Sequence, residues 1–261
     1  MTDAGAVRTV TMTHPEKRNA LSEGMASVLI DAIESASCRA LILRAEPGAT
    51  TWSAGHDIDD LPAEGVDPLA WTSPVERLIA AVQSAPFPVI AAVEGGAWGA
   101  GCNLALACDL LVARRSATFA VTPARLGLPY HPDGIAQFLA VVPLNAAKEM
   151  FFTAAPLAAD SPLLSGTVNR LVDTSDELTQ AADELAARIA AVAPLSVRSI
   201  KAEIVAIEAG DVVARRDGQA VPAGFTPRDL VSLRRAAWQS ADFREGLAAF
   251  RDRRTPKFEG R

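Results

Sequence analysis

The chain is poor in cysteine, in histidine and in positive charge, and each shortage removes a class of protein. Cys38, Cys102 and Cys108 are its only cysteines, too few and too irregularly spaced for a disulfide framework or a zinc knuckle, and they predict inert buried thiols in a reducing compartment. Its three histidines, His14, His56 and His131, stand far apart without neighbouring ligand types, so no metal is expected. With 25 basic against 31 acidic residues the formal net charge is −6, which offers no basic surface to a phosphate backbone and argues against nucleic acid as a partner. No apolar run is long enough and free of breakers to cross a bilayer, and the opening MTDAGAVRTVTMTHPEKRN has no apolar segment of the secretory kind. No membrane contact and a cytoplasmic location are therefore expected.

What remains is a chain of 261 residues, 49% of them hydrophobic, long enough to bury one substantial core. Val7–Met12 and residues 40–43 read as strands, and between them Ser22 caps a helix carrying Met25, Leu29, Ala32 and Ile33 on one face. A second helix starts at Ser73 and Pro74, carries Val75, Leu78, Ile79 and Val82, and is ended by Pro86 and Pro88. Val89–Val93, VIAAV, reads as a buried strand, followed by the glycine-rich turn GGAWGAG over 95–101 and by NLALACDLLVA, a short buried helix running into another strand. A strand, a glycine turn and a helix N-terminus in series leave backbone amides open to a ligand.

Beyond Asn169 the pattern turns helical. Thr174 and Glu177 form a capping box for a helix to about Val192, residues 195–209 form a second with Gly210 as its stop, Thr226 and Pro227 start a third, and 242–251 form a fourth. Gly218, Pro222 and Gly224 mark 210–226 as a surface loop. The chain thus divides into an α/β core over 1–195 and a helical part over 196–261 whose apolar faces predict oligomerisation.

Three segments stand out for chemistry: SAGHD at 53–57, EGGAWGAGCN at 94–103 and TPARLGLPY at 122–130. Together with HPEKRNALS at 14–22, PVIAAV, LALACDL and DFREGLAAFRDRRTPKF at 242–258, they resemble the crotonase superfamily, the enoyl-CoA hydratase/isomerase family, over nearly the whole chain. The resemblance implies an α/β spiral of ββα units of the ClpP/crotonase type, with a C-terminal helical region that makes homotrimers or a dimer of trimers. It implies an acyl-CoA thioester as substrate, and no cofactor beyond the coenzyme A that the substrate carries. It also makes the amides of His56 and Ala100 the two donors to the thioester oxygen. Fixed N–H dipoles facing a developing oxyanion are worth about 2.7–4 kcal/mol per donor.

Hydratases of this family use two glutamates to activate water; here Asn103 and Ala124 stand at those positions, and neither is a base. SAGHDIDDLP with DPL shortly after, VEGGAWG, FAVTPARLGLPY and KEMFFTAAPL resemble instead the branch that decarboxylates methylmalonyl-CoA to propionyl-CoA. That likeness makes Tyr130 the side chain that orients the departing carboxylate, while Asn103 stands where the branch has a glutamate and can donate a hydrogen bond to an anion. For the coenzyme A moiety the family uses the segment of Lys17, Arg18 and Ala20 and the backbone near Ala54, Asp57 and Ile58; Phe250, Lys257 and Phe258 match positions that in relatives reach a neighbouring subunit's ligand.

Plainer readings stand beside these. His56 serves equally as a turn residue, Tyr130 as the closure of a turn before HPDG, and Lys17 and Arg18 as a solvated pair. Trp98 reads as pocket wall or core. Ser53, His56 and Asp57 suggest a hydrolytic triad that so tight a loop disfavours. The glycines of 95–101 lack the Lys-Ser/Thr of a phosphate loop. Within the family, isomerisation or thioester hydrolysis through the same enolate would require a base not apparent in the sequence, and loss of activity would leave an acyl-CoA binder.

Overall fold

A computed structural model describes residues 1–60, 74–209, 212–214, 220–222 and 228–261. In chain order the strands are β1 (Thr2–Ala4), β2 (Val7–Met12), β3 (Ala40–Ala45), β4 (Thr51–Ser53), β5 (Val89–Val93), β6 (Gly96–Trp98), β7 (Leu110–Arg114), β8 (Thr118–Ala120), β9 (Leu157–Ala158), β10 (Arg170–Val172), β11 (Val212–Ala214) and β12 (Ala220–Pro222). The helices are α1 (Glu23–Glu34), α2 (Pro74–Ser84), α3 (Ala100–Ala107), α4 (Pro132–Val141), α5 (Leu144–Thr153), α6 (Ser175–Ala190), α7 (Pro194–Glu208), α8 (Arg228–Gln239) and α9 (Ala241–Asp252).

Two sheets share the strands in alternation. One runs β1-β2-β3-β5-β7-β10 and the other β4-β6-β8-β9, so β3–β4, β5–β6 and β7–β8 each give one strand to either sheet. With the helices between them these pairs form the spiral of ββα units that the resemblance implies. The pairings β2–β3, β3–β5, β5–β7 and β7–β10 are all parallel. A parallel sheet is covered on both faces. Leu41, Leu43, Val89 and Ala91 face the main core beside Trp52, Phe119 and Phe138, while the alternate residues Ala40, Ile42, Ile90 and Ala92 meet Leu178, Ala182 and Ala186 of α6.

Local signals act where they are written. Ser22 Oγ accepts from the Met25 amide to start α1, and Ala26, Leu29, Ala32 and Ile33 are its buried residues. The Thr174–Glu177 capping box forms in full at α6. Two local readings need correction. The turn over 95–101 contains β6, paired with β4 and β8, because its small residues suit a close three-strand ladder. Helix α3 already begins at Ala100, so Ala100 is its first residue and Asn103 lies one turn inside it.

Within 210–226 the described strands β11 and β12 pair as an antiparallel hairpin, where a plain loop was expected. Ser73 as a helix cap, the DPL at 67–69, Gly210 as a stop, Gly218, Gly224, and Thr226 and Pro227 as a helix start all lie outside the described residues.

The C-terminal helices are tied to the core by a buried cation. Lys201 of α7, 6% exposed, donates to the Val82 and Phe87 carbonyls, each at 3.0 Å, and to Asp109 Oδ2 at 2.7 Å. Ile200, Ile204 and Ile207 on the same helix remain exposed. Among the described residues no helix is long and apolar enough to cross a membrane.

Candidate active site

The SAGHD turn leaves the end of β4 and is laced to the segment before α1. Asn19 Nδ2 donates to the Trp52 carbonyl at 3.1 Å, and Ser53 Oγ donates to the Asn19 carbonyl at 2.8 Å. The Ala54 amide donates to Arg18 O at 2.9 Å and the Leu21 amide to Gly55 O at 2.7 Å. Gly55 has φ +89°, and a Cβ on it would stand 2.4 Å from the Trp98 carbonyl oxygen and 3.0 Å from the Ala100 nitrogen. The turn therefore backs directly onto the first residue of α3. Only a glycine permits both that φ and that approach.

This contact brings two amides to one place. Ala100 opens α3 behind Gly99, so its N–H has no intrahelical acceptor and lies at the positive end of the helix dipole. Among the described residues neither the His56 nor the Ala100 amide finds an acceptor. Two unspent donors on rigid backbone suit an oxygen that gains negative charge.

Both loops open on a cavity of about 390 Å³. One wall is helix α2, which presents Glu76, Ile79, Ala80 and Gln83, the i, i+3, i+4, i+7 face. Thr122, Pro123, Leu126 and Leu128 also line the cavity, as do Tyr130 and the start of α4. The Tyr130 ring meets Phe138 edge-on at 6.1 Å between centroids and Phe151 at 5.1 Å. Burial pushes its phenol well above the ordinary tyrosine value, and the thiol of Cys102 and the carboxylate of Glu76 add to the rise. At neutral pH the group is thus a hydroxyl, a donor whose own partner is absent among the described residues.

Beside it lies Asn103, 7% exposed. Its main-chain carbonyl accepts from Gln137 Nε2 at 3.4 Å, while its Oδ1 is sealed from solvent without a hydrogen-bond partner. A buried amide left incomplete next to a cavity is suited to a polar ligand.

Of the residues singled out by sequence, Ala54, His56, Ile58, Ala100, Asn103 and Tyr130 all line this cavity. Lys17, Arg18, Ala20 and Asp57 do not. Lys17 Nζ sits 2.5 Å from Asp59 and 3.6 Å from Asp57, so its charge is already matched. Arg18 is exposed, and Ala20 is buried under the turn. Ala124 faces solvent on the turn Pro123–Leu126 and is not among the lining residues. Trp98, 39% exposed, lies over Gly96 outside the cavity, and Phe250 is 86% exposed.

No triad forms: Ser53 Oγ is fully buried and engaged by Asn19 and Gly55, and His56 Nδ1 has no hydrogen-bond partner among the described residues. The thiols of Cys102 and Cys108 are pushed far up by burial and are inert, as expected, whereas Cys38 is half-buried. Among the described residues no three potential ligands converge as a metal site.

Sequence reasoning missed Glu76, Gln137 and the polar start of α4, His131 and Asp133. Glu76 shares the 76–79–80–83 face that adjoins the apolar stripe of α2, and only the packing of the helix turns that face to the cavity. The arrangement as a whole can hold an oxyanion between two amides and orient an anionic group with a phenol and an amide, in a largely apolar enclosure.

Residues 2–261 match the family described as Enoyl-CoA hydratase/isomerase. A methylmalonyl-CoA decarboxylase of Escherichia coli (strain K12) is 32% identical over 257 residues, covering 97% of this chain and 95% of that protein. A 2,3-dehydroadipyl-CoA hydratase from the same organism is 31% identical over 255 residues, covering 97% and 94%. A solved structure of methylmalonyl-CoA decarboxylase in complex with 2-nitronate-propionyl-CoA superposes with a TM-score of 0.77 at 32% identity, covering 100% of this chain and 97% of that one.

Proposed function

The chain belongs to the enoyl-CoA hydratase/isomerase family, the crotonase superfamily, and on that premise we propose that it decarboxylates a 2-substituted malonyl-CoA thioester, with methylmalonyl-CoA to propionyl-CoA and CO2 as the leading case. The observation that carries this reading is the presence of a protonated Tyr130 and a neutral Asn103 together in the cavity lining.

Decarboxylation needs no base. The thioester oxygen is held by the His56 and Ala100 amides, and the carboxylate is held across the cavity by the Tyr130 hydroxyl and the Asn103 amide. Fixed between two such anchors, the bond to the carboxylate can stand perpendicular to the thioester plane, so its electrons pass into the enolate as CO2 departs. Asn103 is neutral and can donate a hydrogen bond to that carboxylate. The likeness to proteins named methylmalonyl-CoA decarboxylase supports the same choice. Arg18, exposed and without an ion-pair partner among the described residues, is the cation best suited to the nucleotide phosphates. The bare isoleucines of α7 fit a homotrimer or a dimer of trimers.

The test is mass-spectrometric. Methylmalonyl-CoA in deuterated water is expected to give propionyl-CoA with one deuterium, while crotonyl-CoA in a parallel tube stays unhydrated. Hydrated crotonyl-CoA with intact methylmalonyl-CoA would reject the reading. The carboxylate of Glu76 in the cavity wall favours one rival, isomerisation of a 3-enoyl-CoA through the same enolate, and the same assay run on that thioester separates the two.

A further inference from the structure

We propose that Glu76 is the acid that protonates the α-carbon of the enolate after CO2 has left, an inference that rests on the decarboxylase reading above. Glu76 stands in the first turn of α2, on the face that lines the cavity, and its Oε2 is sealed from solvent. It shares this enclosure with Tyr130 and Asn103, the pair that receives the substrate carboxylate.

The other titratable groups of the cavity are less suited. Tyr130 is a poor acid, since giving up its proton would leave a phenolate in the same apolar surroundings that hold it neutral. Arg77, next along α2, turns its Nη2 to Glu23 at 2.7 Å. His131 uses Nδ1 to accept from the Asp133 amide at 3.3 Å, capping α4. Asp133 has a side chain 58% exposed and 3.7 Å from that imidazole. His56 belongs to the turn that serves the thioester oxygen, not the carbon beyond it.

Substrate entry loads the acid. A second carboxylate in an enclosed site with Glu76 makes a like-charge pair, and one member must take up a proton. Tyr130 and Asn103 donate hydrogen bonds that favour the charged form of the substrate's carboxylate, so the proton from solvent goes to Glu76. The bond from the α-carbon to the carboxylate then breaks, CO2 leaves, and the electron pair becomes the enolate. As the enolate collapses to the thioester, the α-carbon takes the Glu76 proton. The side chain is left as a carboxylate, and the cycle has consumed one proton from water.

The experiment compares the full-length wild type with Glu76→Gln on methylmalonyl-CoA in deuterated water, reading turnover by mass spectrometry and the configuration at C2 of the deuterated propionyl group by NMR after chiral derivatisation. A positioned acid predicts one configuration from the wild type. In Glu76→Gln, turnover should fall roughly 100-fold, the lower end of general-acid effects, with both configurations formed as bulk water protonates the enolate. Equal turnover and a single configuration in both proteins would overturn the role of Glu76 and leave the decarboxylase reading intact. A mixed configuration from the wild type would do the same. A wild type that leaves methylmalonyl-CoA intact overturns both. If Glu76→Gln fails to fold, Glu76→Asp replaces it: reduced turnover with one configuration is expected, and undiminished turnover would overturn the proposal.

Discussion

The ring of Tyr130 rests on the bare Cα of Gly134: a Cβ there would stand 2.6 Å from Tyr130 Cε1 and 3.5 Å from Asn103 Nδ2. Helix propensity alone would favour alanine at this position of α4 by about 1 kcal/mol, so the glycine is explained by the phenol it accommodates.

Gly134→Ala is therefore expected to displace the Tyr130 ring and lower kcat/KM about tenfold or more, in line with the roughly 1–3 kcal/mol that overpacking costs. Steady-state kinetics beside a melting curve checks this. Unchanged kinetics would mean that the ring position has no bearing on turnover.

Tyr130→Phe keeps the ring and removes the donor. A hydrogen bond to a charged group is worth about 1.5–3 kcal/mol, so kcat should fall roughly 10- to 100-fold. Coenzyme A thioester affinity, measured by calorimetry, should change little. Asn103→Ala is expected to cost less, because Tyr130 still holds the carboxylate.

Gly55→Ala tests the contact between the two donor turns. The added Cβ would meet the Trp98 oxygen at 2.4 Å and force apart the His56 and Ala100 amides. A drop in kcat of roughly 100- to 1,000-fold is expected, the cost of losing one oxyanion donor. A variant that melts lower yet turns over normally would exclude these amides from catalysis.

How much of this could be read from the chain depends on whether a signal is local. VIAAV, the Ser22 cap and the Thr174–Glu177 box each act within a few residues, and each forms where it was read. The residues of 53–57, 100–103 and Tyr130 are far apart in sequence, and the family resemblance gathered them; the fold then puts Ala54, His56, Ala100, Asn103 and Tyr130 on one cavity. Glu76 was missed because only the docking of α2 on α3 turns its polar face inward. The matching of Lys17 by Asp57 and Asp59 was missed for a related reason, since those carboxylates lie some 40 residues further along (Asp59 is at a separation of 42). The strand β6 hides among small residues whose pairing is decided by β4 and β8.

Acid should loosen the C-terminal segment. Glu245 accepts a forked pair from Arg254 at 2.6 and 2.9 Å and the Lys257 amide at 2.8 Å, and these hold its carboxyl down to about 2 from an ordinary 4.5. A depressed carboxyl stabilises the folded form fully above its unfolded value, so this contribution is present above about pH 4.5 and is lost as pH falls toward 2. An NMR titration of the Glu245 carboxyl with a midpoint near 2 is expected; a midpoint at 4.5 would show that the tail contacts do not persist in solution.

The Lys201 ammonium reaches from α7 to the last turn of α2, whose other residues wall the cavity, while Ile200, Ile204 and Ile207 of the same α7 stand bare. A second copy of the chain seated on those isoleucines would also steady the helix that carries Glu76. In a homo-oligomer built on that face, assembly and substrate affinity would be linked by mass action, and the linkage would run both ways. Dilution that strips the cover should weaken the hold on the thioester, and saturating thioester should in turn draw the chains together.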